Sequence, residues 1–310
     1  MNSMQVIAEP FLDFVSSISL APLNVGVQIT AFALPCLLLS ETVHSGIGRW
    51  IFKPLASLGF LIAALSYIPN NSTALFASTT AAATTFNAWS DIPTTLTNAN
   101  SLLELATAYA AEVKHIVLNV APTIITASSS SAAEVATSAV VAHTTYTRAM
   151  MGAFVLGFIG DVLLIPARGF LPGLVSFLAG HAAFMVAFTF HGQDQVAQQG
   201  GLALIVTMAA IVGPWLLPKI KNKIMRGAVV AYMLVISGMV ITAIGSIHCG
   251  QNHLPERTLG ALMFFFSDLF VARQHFVHKT VLNKWIGLPL YYVAQILLAS
   301  TLRSEHMLVQ

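Results

Sequence analysis

Long apolar runs alternate with short polar connections along most of the 310-residue chain. A helix that crosses a bilayer needs about 20 mostly apolar residues, and eight runs approach that length. Two of these runs are short for a full span. Pro or Gly breaks within the runs are tolerated where neighbouring helices cover the backbone. The predicted spans are Leu23–Ser40, Ile51–Pro69, Ala149–Pro166, Phe170–Phe190, Leu202–Leu217, Gly227–Ile247, Leu259–Ala272 and Trp285–Leu302. We therefore expect an all-α polytopic membrane protein, a bundle of about eight transmembrane helices.

Two segments depart from this pattern. Residues 1–20 are interpreted as an interfacial N-terminal segment, followed by a single transmembrane domain over residues 21–310. Residues 70–147 are rich in Ala, Ser and Thr and form a predicted lumenal or extracellular insertion between the second and third spans. Within it, Ser101–Val120 has apolar residues at helical spacing but also three charges, which favours an amphipathic helix over a membrane span. Its composition and its distance from the other motifs indicate that the insertion is dispensable for catalysis.

Composition excludes a soluble globule. Hydrophobic residues make up 56% of the chain and charged residues 8%, whereas soluble domains carry about 25% charged residues. The net charge of +2 comes from basic residues scattered among loops, a pattern that does not indicate nucleic-acid binding. Cys36 and Cys249 form neither a disulfide framework nor a metal-binding motif.

Two acidic residues lie well inside apolar runs. Asp161 interrupts Ala149–Pro166, and Asp268 interrupts Gly260–Ala272. Because a carboxylate in lipid costs several kcal/mol, such a residue indicates a functional site by default. The structural alternative is a pair of carboxyls that hold helices together or face a water-filled crevice.

The depths of the polar side chains predict a cavity. At 1.5 Å per residue, Asp161 and Asp268 each lie within about 8 Å of the predicted cytoplasmic end of their spans. Polar residues of other helices fall in the same layer: Glu41, Lys53, His181, Tyr291, Tyr292 and Gln295. This convergence favours an active site open to the cytoplasmic leaflet.

Two of these residues have more than one interpretation. Lys53 is either an interfacial lysine that reaches lipid phosphates or a counter-charge for a buried carboxylate or a lipid phosphate. His181 is either a satisfied core histidine or a partner of Asp161, because the tight Pro166–Phe170 turn makes the third and fourth spans neighbours. Gly157 and Gly160 would let another helix approach closely beside Asp161.

The last span carries a third polar group. Tyr291 and Gln295 are four residues apart and Tyr292 and Gln295 three apart, so all three can share one helix face. They lie too deep for an aromatic belt, a role that Trp285 fills. Hydrogen bonds to a substrate or to a carboxylate are the favoured interpretation.

Four pieces of the sequence together resemble the YhhN-type lysoplasmalogenase family of membrane hydrolases. They are Arg49–Pro54, Gly157–Phe184 with its Gly-Asp161 and His181, Gly260–Asp268 ending in Ser-Asp, and Asn283 with Tyr291–Gln295. The resemblance covers residues 23–69 and 148–302, and the insertion at 70–147 is absent from compact members. It implies an eight-helix fold and hydrolysis of the vinyl ether bond of lysoplasmalogens, to a fatty aldehyde and glycerophosphoethanolamine or glycerophosphocholine.

This chemistry suits a pair of buried carboxyls. Vinyl ether cleavage begins with protonation of the alkene carbon, which forms an oxocarbenium ion that water then attacks. Burial can keep one carboxyl protonated near neutral pH, while the other stabilises the cation and activates water, as in glycosidases with two carboxylates. We predict Asp161 and Asp268 as the catalytic pair, with Asp161 the donor because of its Phe- and Leu-rich surroundings. The predicted substrate-binding residues are Lys53, His181, Ser267, Tyr291, Tyr292 and Gln295.

The predicted partners are membrane lipid and a lysophospholipid with a vinyl ether chain, with no nucleic acid, metal or cofactor. A proton-coupled transporter would also carry membrane carboxylates, but it should show internal repeats, and none is evident. A non-enzymatic lipid-binding protein is the other alternative. Intramembrane aspartyl proteases need Gly-x-Gly-Asp, which Gly157-Phe-Ile-Gly-Asp161 does not match.

Basic residues predict the orientation. One set of loops holds ten: Arg49, Lys53, Arg168, Lys219, Lys221, Lys223, Arg226, Arg273, Lys279 and Lys284. The other side holds four: Lys114, Arg148, Arg257 and Arg303. The first side is therefore predicted to be cytoplasmic, with the active-site layer toward that leaflet of the endoplasmic reticulum or another endomembrane.

Cysteine labelling tests this orientation. In a protein whose native cysteines are replaced by serine, Lys221→Cys should be shielded from an impermeant thiol reagent applied outside the cytoplasm. Ser129→Cys should react with it. The opposite labelling pattern would invert the topology and move the site to the other leaflet.

Overall fold

The computed structural model describes residues 24–68, 132–166, 168–190, 192–248 and 254–304. This part of the chain contains eight α-helices and no strands. Their bounds are α1 Val25–Thr42, α2 Gly46–Tyr67, α3 Ala132–Leu163, α4 Phe170–Thr189, α5 Gln195–Leu216, α6 Lys223–Gly245, α7 Leu254–Ala272 and α8 Val281–Ser304. The predicted all-α, polytopic architecture is confirmed.

Seven segments of the described chain are long and apolar enough to cross a membrane. They belong to every helix except α7, and the crossing part of α3 is Thr145–Leu163. The 19-residue α7 carries Glu256, Arg257 and Asp268, and it packs between α6 and α8. Its charges lower its hydropathy, although its neighbours place it inside the bundle.

Six helices form a ring that encloses the polar side chains. Going round the ring, α2 packs on α3, α3 on α4, α4 on α6, α6 on α7, α7 on α8, and α8 on α2 again. Helix α1 packs outside against α2, and α5 packs outside against α6. Side chains from opposite helices of the ring can therefore meet at its centre.

Glycines in α3 permit the close packing that the sequence predicts. A Cβ atom on Gly160 would lie 2.7 Å from the Phe177 ring of α4, and one on Gly157 would lie 2.9 Å from Gln295 Nε2 of α8. Both distances are too short for a real side chain. Glycine at these two positions therefore lets α4 and α8 approach α3 on either side of Asp161.

The predicted insertion and the described structure meet within α3. This helix begins at Ala132, inside the segment that the sequence assigns to the insertion. Thr145, Tyr146 and Thr147 are buried, and the Tyr146 hydroxyl lies 2.7 Å from Thr301 Oγ1 of α8. Residues 132–147 are thus continuous with the third span, because Ala, Ser and Thr are compatible with a buried helix. Residues 1–20, most of the insertion and its predicted helix at Ser101–Val120 lie outside the described residues.

This boundary changes how the insertion should be removed. We expect deletion of residues 71–130, with Asn70 joined to Ser131 through a short Gly/Ser linker, to leave the unfolding temperature in detergent nearly unchanged. A deletion that extends to residue 146 should unfold at a clearly lower temperature, since it removes the buried Tyr146. Equal stability of the two proteins would contradict this division of the insertion.

Candidate active site

Asp161 lies in the last turn of α3 and is 2% exposed. Lys53 Nζ of α2 is 3.2 Å from its Oδ1 atom. The hydroxyls of Ser57 and Tyr291 each donate to its Oδ2 atom at 2.7 Å. Three donors from two other helices therefore surround this carboxylate, and the ionised form is the one that accepts all of them.

A second layer of hydrogen bonds orients these donors. Gln295 Nε2 donates to the Tyr291 hydroxyl at 3.1 Å, and the Tyr292 hydroxyl lies 3.3 Å from Ser57 Oγ. The shared face predicted for these α8 residues is thus directed at Asp161, with Tyr291 in direct contact. Of the two interpretations of Lys53, the counter-charge for a buried carboxylate matches the structure.

Asp268 forms a separate network with α4 and α6. The Tyr232 hydroxyl donates to Asp268 Oδ2 at 2.5 Å, and His181 Nε2 lies 3.2 Å from the same oxygen. His181 Nε2 is also 2.7 Å from the Tyr232 hydroxyl, which closes a triangle. The second ring nitrogen of His181, Nδ1, is buried and has no hydrogen-bond partner in the described part of the chain.

Of the two interpretations of His181, the partnership with Asp161 is wrong, since its carboxylate partner is Asp268. Helices α3 and α4 are neighbours as expected, but Asp161 and His181 lie at different heights along the two packed helices. Gly160 packs on Phe177, which lies one turn before His181. His181 is consequently about 6 Å further along α4 than the residue beside Asp161.

Aromatic rings fill the space between the two networks. The Phe264 ring centroid is 4.5 Å from that of His181 and 5.1 Å from that of Tyr291, both in edge-on geometry. Phe177 also packs edge-on against Tyr291. This packing separates the hydrogen bonds of Asp161 from those of Asp268.

Both carboxylates nevertheless border one cavity of about 280 Å³. Its charged lining residues are Glu41, Arg49, Lys53, Asp161, Asp268 and Lys284, with His275 beside them. Helices α4, α5 and α6 supply mostly apolar lining: Phe170, Leu174, Phe177, Leu216, Val229, Met233 and Ile236. The cavity is therefore amphiphilic, with an ionic side and a hydrocarbon-like side.

The predicted site residues take different positions around this cavity. Asp161, Asp268, Lys53, Tyr291 and Ser267 line it, whereas His181, Tyr292 and Gln295 are buried but are not among its lining residues. Ser267 donates its hydroxyl to the Gly287 carbonyl at 3.0 Å. Its hydrogen bond thus ties α7 to α8, which favours a packing role over the predicted contact with substrate.

Two residues that contact the carboxylates are not predicted by the sequence analysis. Ser57 lies one turn after Lys53, a spacing that places both on one face of α2. Tyr232 is the only tyrosine in the predicted sixth span. Those signals were present, but a single uncharged residue in a membrane helix is too common to indicate a site.

Further polar contacts lie around the cavity. Lys284 of α8 donates to Glu41 of α1, and this pair joins the two helices. The His275 ring stacks on Phe170 with 3.5 Å between centroids. Burial and the nearby Lys279 lower the pKa of His275 below its ordinary value, so its imidazole is neutral at neutral pH.

A family model for the YhhN family matches residues 126–302, more than half of the chain. The chain belongs to the YhhN family. The match includes Asp161, Asp268, His181, Tyr232 and the polar face of α8, whereas Lys53 and Ser57 precede it. No solved structure matches the chain.

Three mammalian relatives of this YhhN protein bear the name lysoplasmalogenase TMEM86B. Human lysoplasmalogenase TMEM86B is 30% identical over 162 residues, which cover 51% of this chain and 66% of the relative. The rat protein of that name is 30% identical over 51% of this chain and 64% of its own length. The mouse protein of that name is 29% identical over 48% of this chain and 61% of its own length. The matched region thus spans just under two thirds of these relatives.

The ion pair between Lys53 and Asp161 makes a prediction about stability. Removing one partner of a buried pair leaves the other charge uncompensated, which costs about 3–5 kcal/mol. We expect Lys53→Met to lower the free energy of unfolding in detergent by this amount, and the double variant Lys53→Met/Asp161→Asn to recover most of the loss. The exposed Lys221→Met serves as the control and should change little.

Unfolding followed by circular dichroism would measure all three variants. If the double variant were no more stable than Lys53→Met, the ion pair would not be what compensates the buried carboxylate.

Proposed function

We propose that this protein is a lysoplasmalogenase-like hydrolase that cleaves the vinyl ether bond of lysoplasmalogens within the membrane. The products would be a fatty aldehyde and glycerophosphoethanolamine or glycerophosphocholine. The observation that carries the proposal is one amphiphilic cavity bordered by two carboxyls, of which only Asp161 has a lysine or arginine partner among the described residues. Membership of the YhhN family and the names of the relatives support the same activity.

The cavity suits the physical character of such a substrate. A lysoplasmalogen has one long chain, a glycerol with a free hydroxyl, and a charged headgroup. The apolar side chains of α4, α5 and α6 can receive the chain, while the ionic residues of α1, α2 and α8 lie on the side suited to the headgroup. The reactive bond lies where the chain meets glycerol, and both carboxyls are on the lining that such a bond would face.

The surroundings of the two carboxyls divide their roles. Asp161 accepts bonds from Lys53, Ser57 and Tyr291, so it is held as a carboxylate and has no proton to give. Asp268 is 18% exposed and contacts only Tyr232 and His181 among polar groups of the described chain. With no cation beside it apart from a protonatable imidazole, Asp268 is suited to be the neutral acid. We therefore assign the roles the other way round from the expectation based on sequence.

The reaction then proceeds in balanced steps. Asp268 gives its proton to the alkene carbon farther from oxygen, and the remaining carbon and oxygen share the positive charge of an oxocarbenium ion. The carboxylate of Asp161 stabilises this cation and accepts a proton from the water that adds to it. As the resulting hemiacetal breaks its carbon–oxygen bond to glycerol, Asp161 returns its proton to the glycerol oxygen. The hydroxyl proton of the hemiacetal restores the acid form of Asp268, and the aldehyde and the alcohol are released. Tyr232 and His181 orient Asp268 and provide a route for its reprotonation.

Aldehyde release from lysoplasmenylethanolamine by the purified protein tests the proposal. An acyl lysophospholipid of equal chain length is the control and should remain intact. In D₂O the aldehyde should gain one deuterium on the carbon next to its carbonyl.

Asp268→Asn and Asp161→Asn should each lower turnover by about 100-fold or more, the scale for losing an acid–base group. Asp268→Asn should unfold within a few degrees of the wild type, because the amide keeps the volume and can still accept from Tyr232.

Two outcomes would contradict this scheme. A folded protein that binds the lipid without releasing aldehyde would be a lipid-binding protein rather than a hydrolase. Near-normal turnover by folded Asp268→Asn would remove Asp268 from the role of acid.

A further inference from the structure

Both lysines that line the cavity are paired with carboxylates, and Asp268 meets Tyr232 and His181, which leaves Arg49 as the remaining cation of the described lining. Lys53 is paired with Asp161, and Lys284 with Glu41. His275 is neutral at neutral pH because burial and Lys279 lower its pKa. Arg49 also lines the cavity, and within the described residues it has no ion-pair partner.

The guanidinium of Arg49 has a second feature of an anion-binding group. Its Nε atom is buried and has no hydrogen-bond partner in the part of the chain that the structure describes. A buried donor without an acceptor costs free energy comparable to a lost hydrogen bond, and the cost is larger for a charged group. An anion that enters the cavity would remove this cost.

The position of Arg49 on α2 fixes its depth relative to the carboxyls. Arg49 lies in the first turn of the helix, whose N-terminus itself favours an anion. Lys53, which touches Asp161, lies one turn further on, about 6 Å along the axis. An anion on Arg49 would therefore lie roughly one glycerol backbone away from Asp161, and this is the separation between the phosphate and the vinyl ether of a lysoplasmalogen.

We propose that Arg49 binds the phosphate of the lysophospholipid headgroup and thereby sets the vinyl ether at the depth of Asp161 and Asp268. The planar fork of a guanidinium matches two phosphate oxygens, which a lysine does not. The inference rests on the proposed function, and it adds a preference for phosphorylated vinyl ethers over neutral ones. In this proposal Arg49 determines substrate specificity and takes no part in the chemical step.

Kinetics with two substrates test this role. Lysoplasmenylethanolamine and a 1-alkenylglycerol without phosphate are compared at equal surface concentrations in the same micelles. Arg49→Gln should raise KM for the phospholipid by about 10- to 100-fold, the scale for losing charge-assisted hydrogen bonds, with kcat changed less than threefold. KM and kcat for the alkenylglycerol should stay as in the wild type.

Two further variants calibrate the result. Arg49→Lys keeps the charge but loses the fork, so its KM for the phospholipid should be intermediate. Lys221→Gln removes an exposed cation outside the cavity and should change KM and kcat for neither substrate. An equal loss on both substrates in Arg49→Gln would overturn the proposal, because it would show a structural role.

A binding measurement separates this inference from the proposed function. A saturated 1-alkyl-glycerophosphoethanolamine, which cannot be cleaved, should raise the unfolding temperature of the wild type but not of Arg49→Gln, while 1-alkylglycerol should affect both proteins equally. Binding that depends on Arg49 in a protein without turnover would sustain the inference while the hydrolase proposal fails. If the enzyme is active but its binding of the alkyl lysophospholipid does not depend on Arg49, the hydrolase proposal stands and the inference about Arg49 fails.

Inorganic phosphate distinguishes a lipid headgroup from a free anion as the ligand. At the same concentration as the alkyl lysophospholipid, phosphate should not displace it. Displacement would indicate a site for free phosphate and would overturn the assignment to a lipid.

Discussion

The buried pair of Lys53 and Asp161 is the constraint on which the rest of the site depends. A charge inside a membrane bundle is tolerated only where a partner and hydrogen bonds compensate it. Here the compensation comes from α2 and α8, so the carboxylate on α3 fixes the positions of three helices at once. Gly157 and Gly160 belong to the same arrangement, because a Cβ atom at either position would lie less than 3 Å from a side-chain atom of α8 or α4.

The same physical rule makes the two aspartates unlike each other. Asp161 is enclosed by donors, whereas Asp268 meets one hydroxyl and one imidazole and reaches the cavity more openly. Two carboxyls with different surroundings can hold different protonation states at one pH, which is what acid–base chemistry requires. Edge-on packing of Phe264 between His181 and Tyr291 keeps the two networks from merging.

Much of this could be predicted from the sequence, and the exceptions have physical reasons. Apolar runs and a shortage of charge specify membrane helices directly, and Asp161, Asp268 and Lys53 stand out because ionisable residues in such runs are rare. Tyr232 and Ser57 do not stand out, since uncharged polar residues are ordinary in membrane helices. The partner of His181 depends on the relative depth of packed helices, which no periodicity encodes. The start of α3 at Ala132 was hidden because Ala, Ser and Thr suit a loop and a buried helix equally well.

In the proposed binding mode, the bilayer reduces the number of polar groups that recognition of the lipid requires. A single-chain lipid arrives already oriented, with its headgroup at the surface and its chain along the helices, so the protein must fix only its depth and rotation. Helix α2 can do both, because Arg49 and Lys53 lie one turn apart on the lining of the same cavity. In the proposed binding mode, the spacing of these two cations along one rigid helix would set the distance from the phosphate to the reactive bond. Recognition and chemistry would then share a single element, and the apolar walls from α4, α5 and α6 need only exclude water.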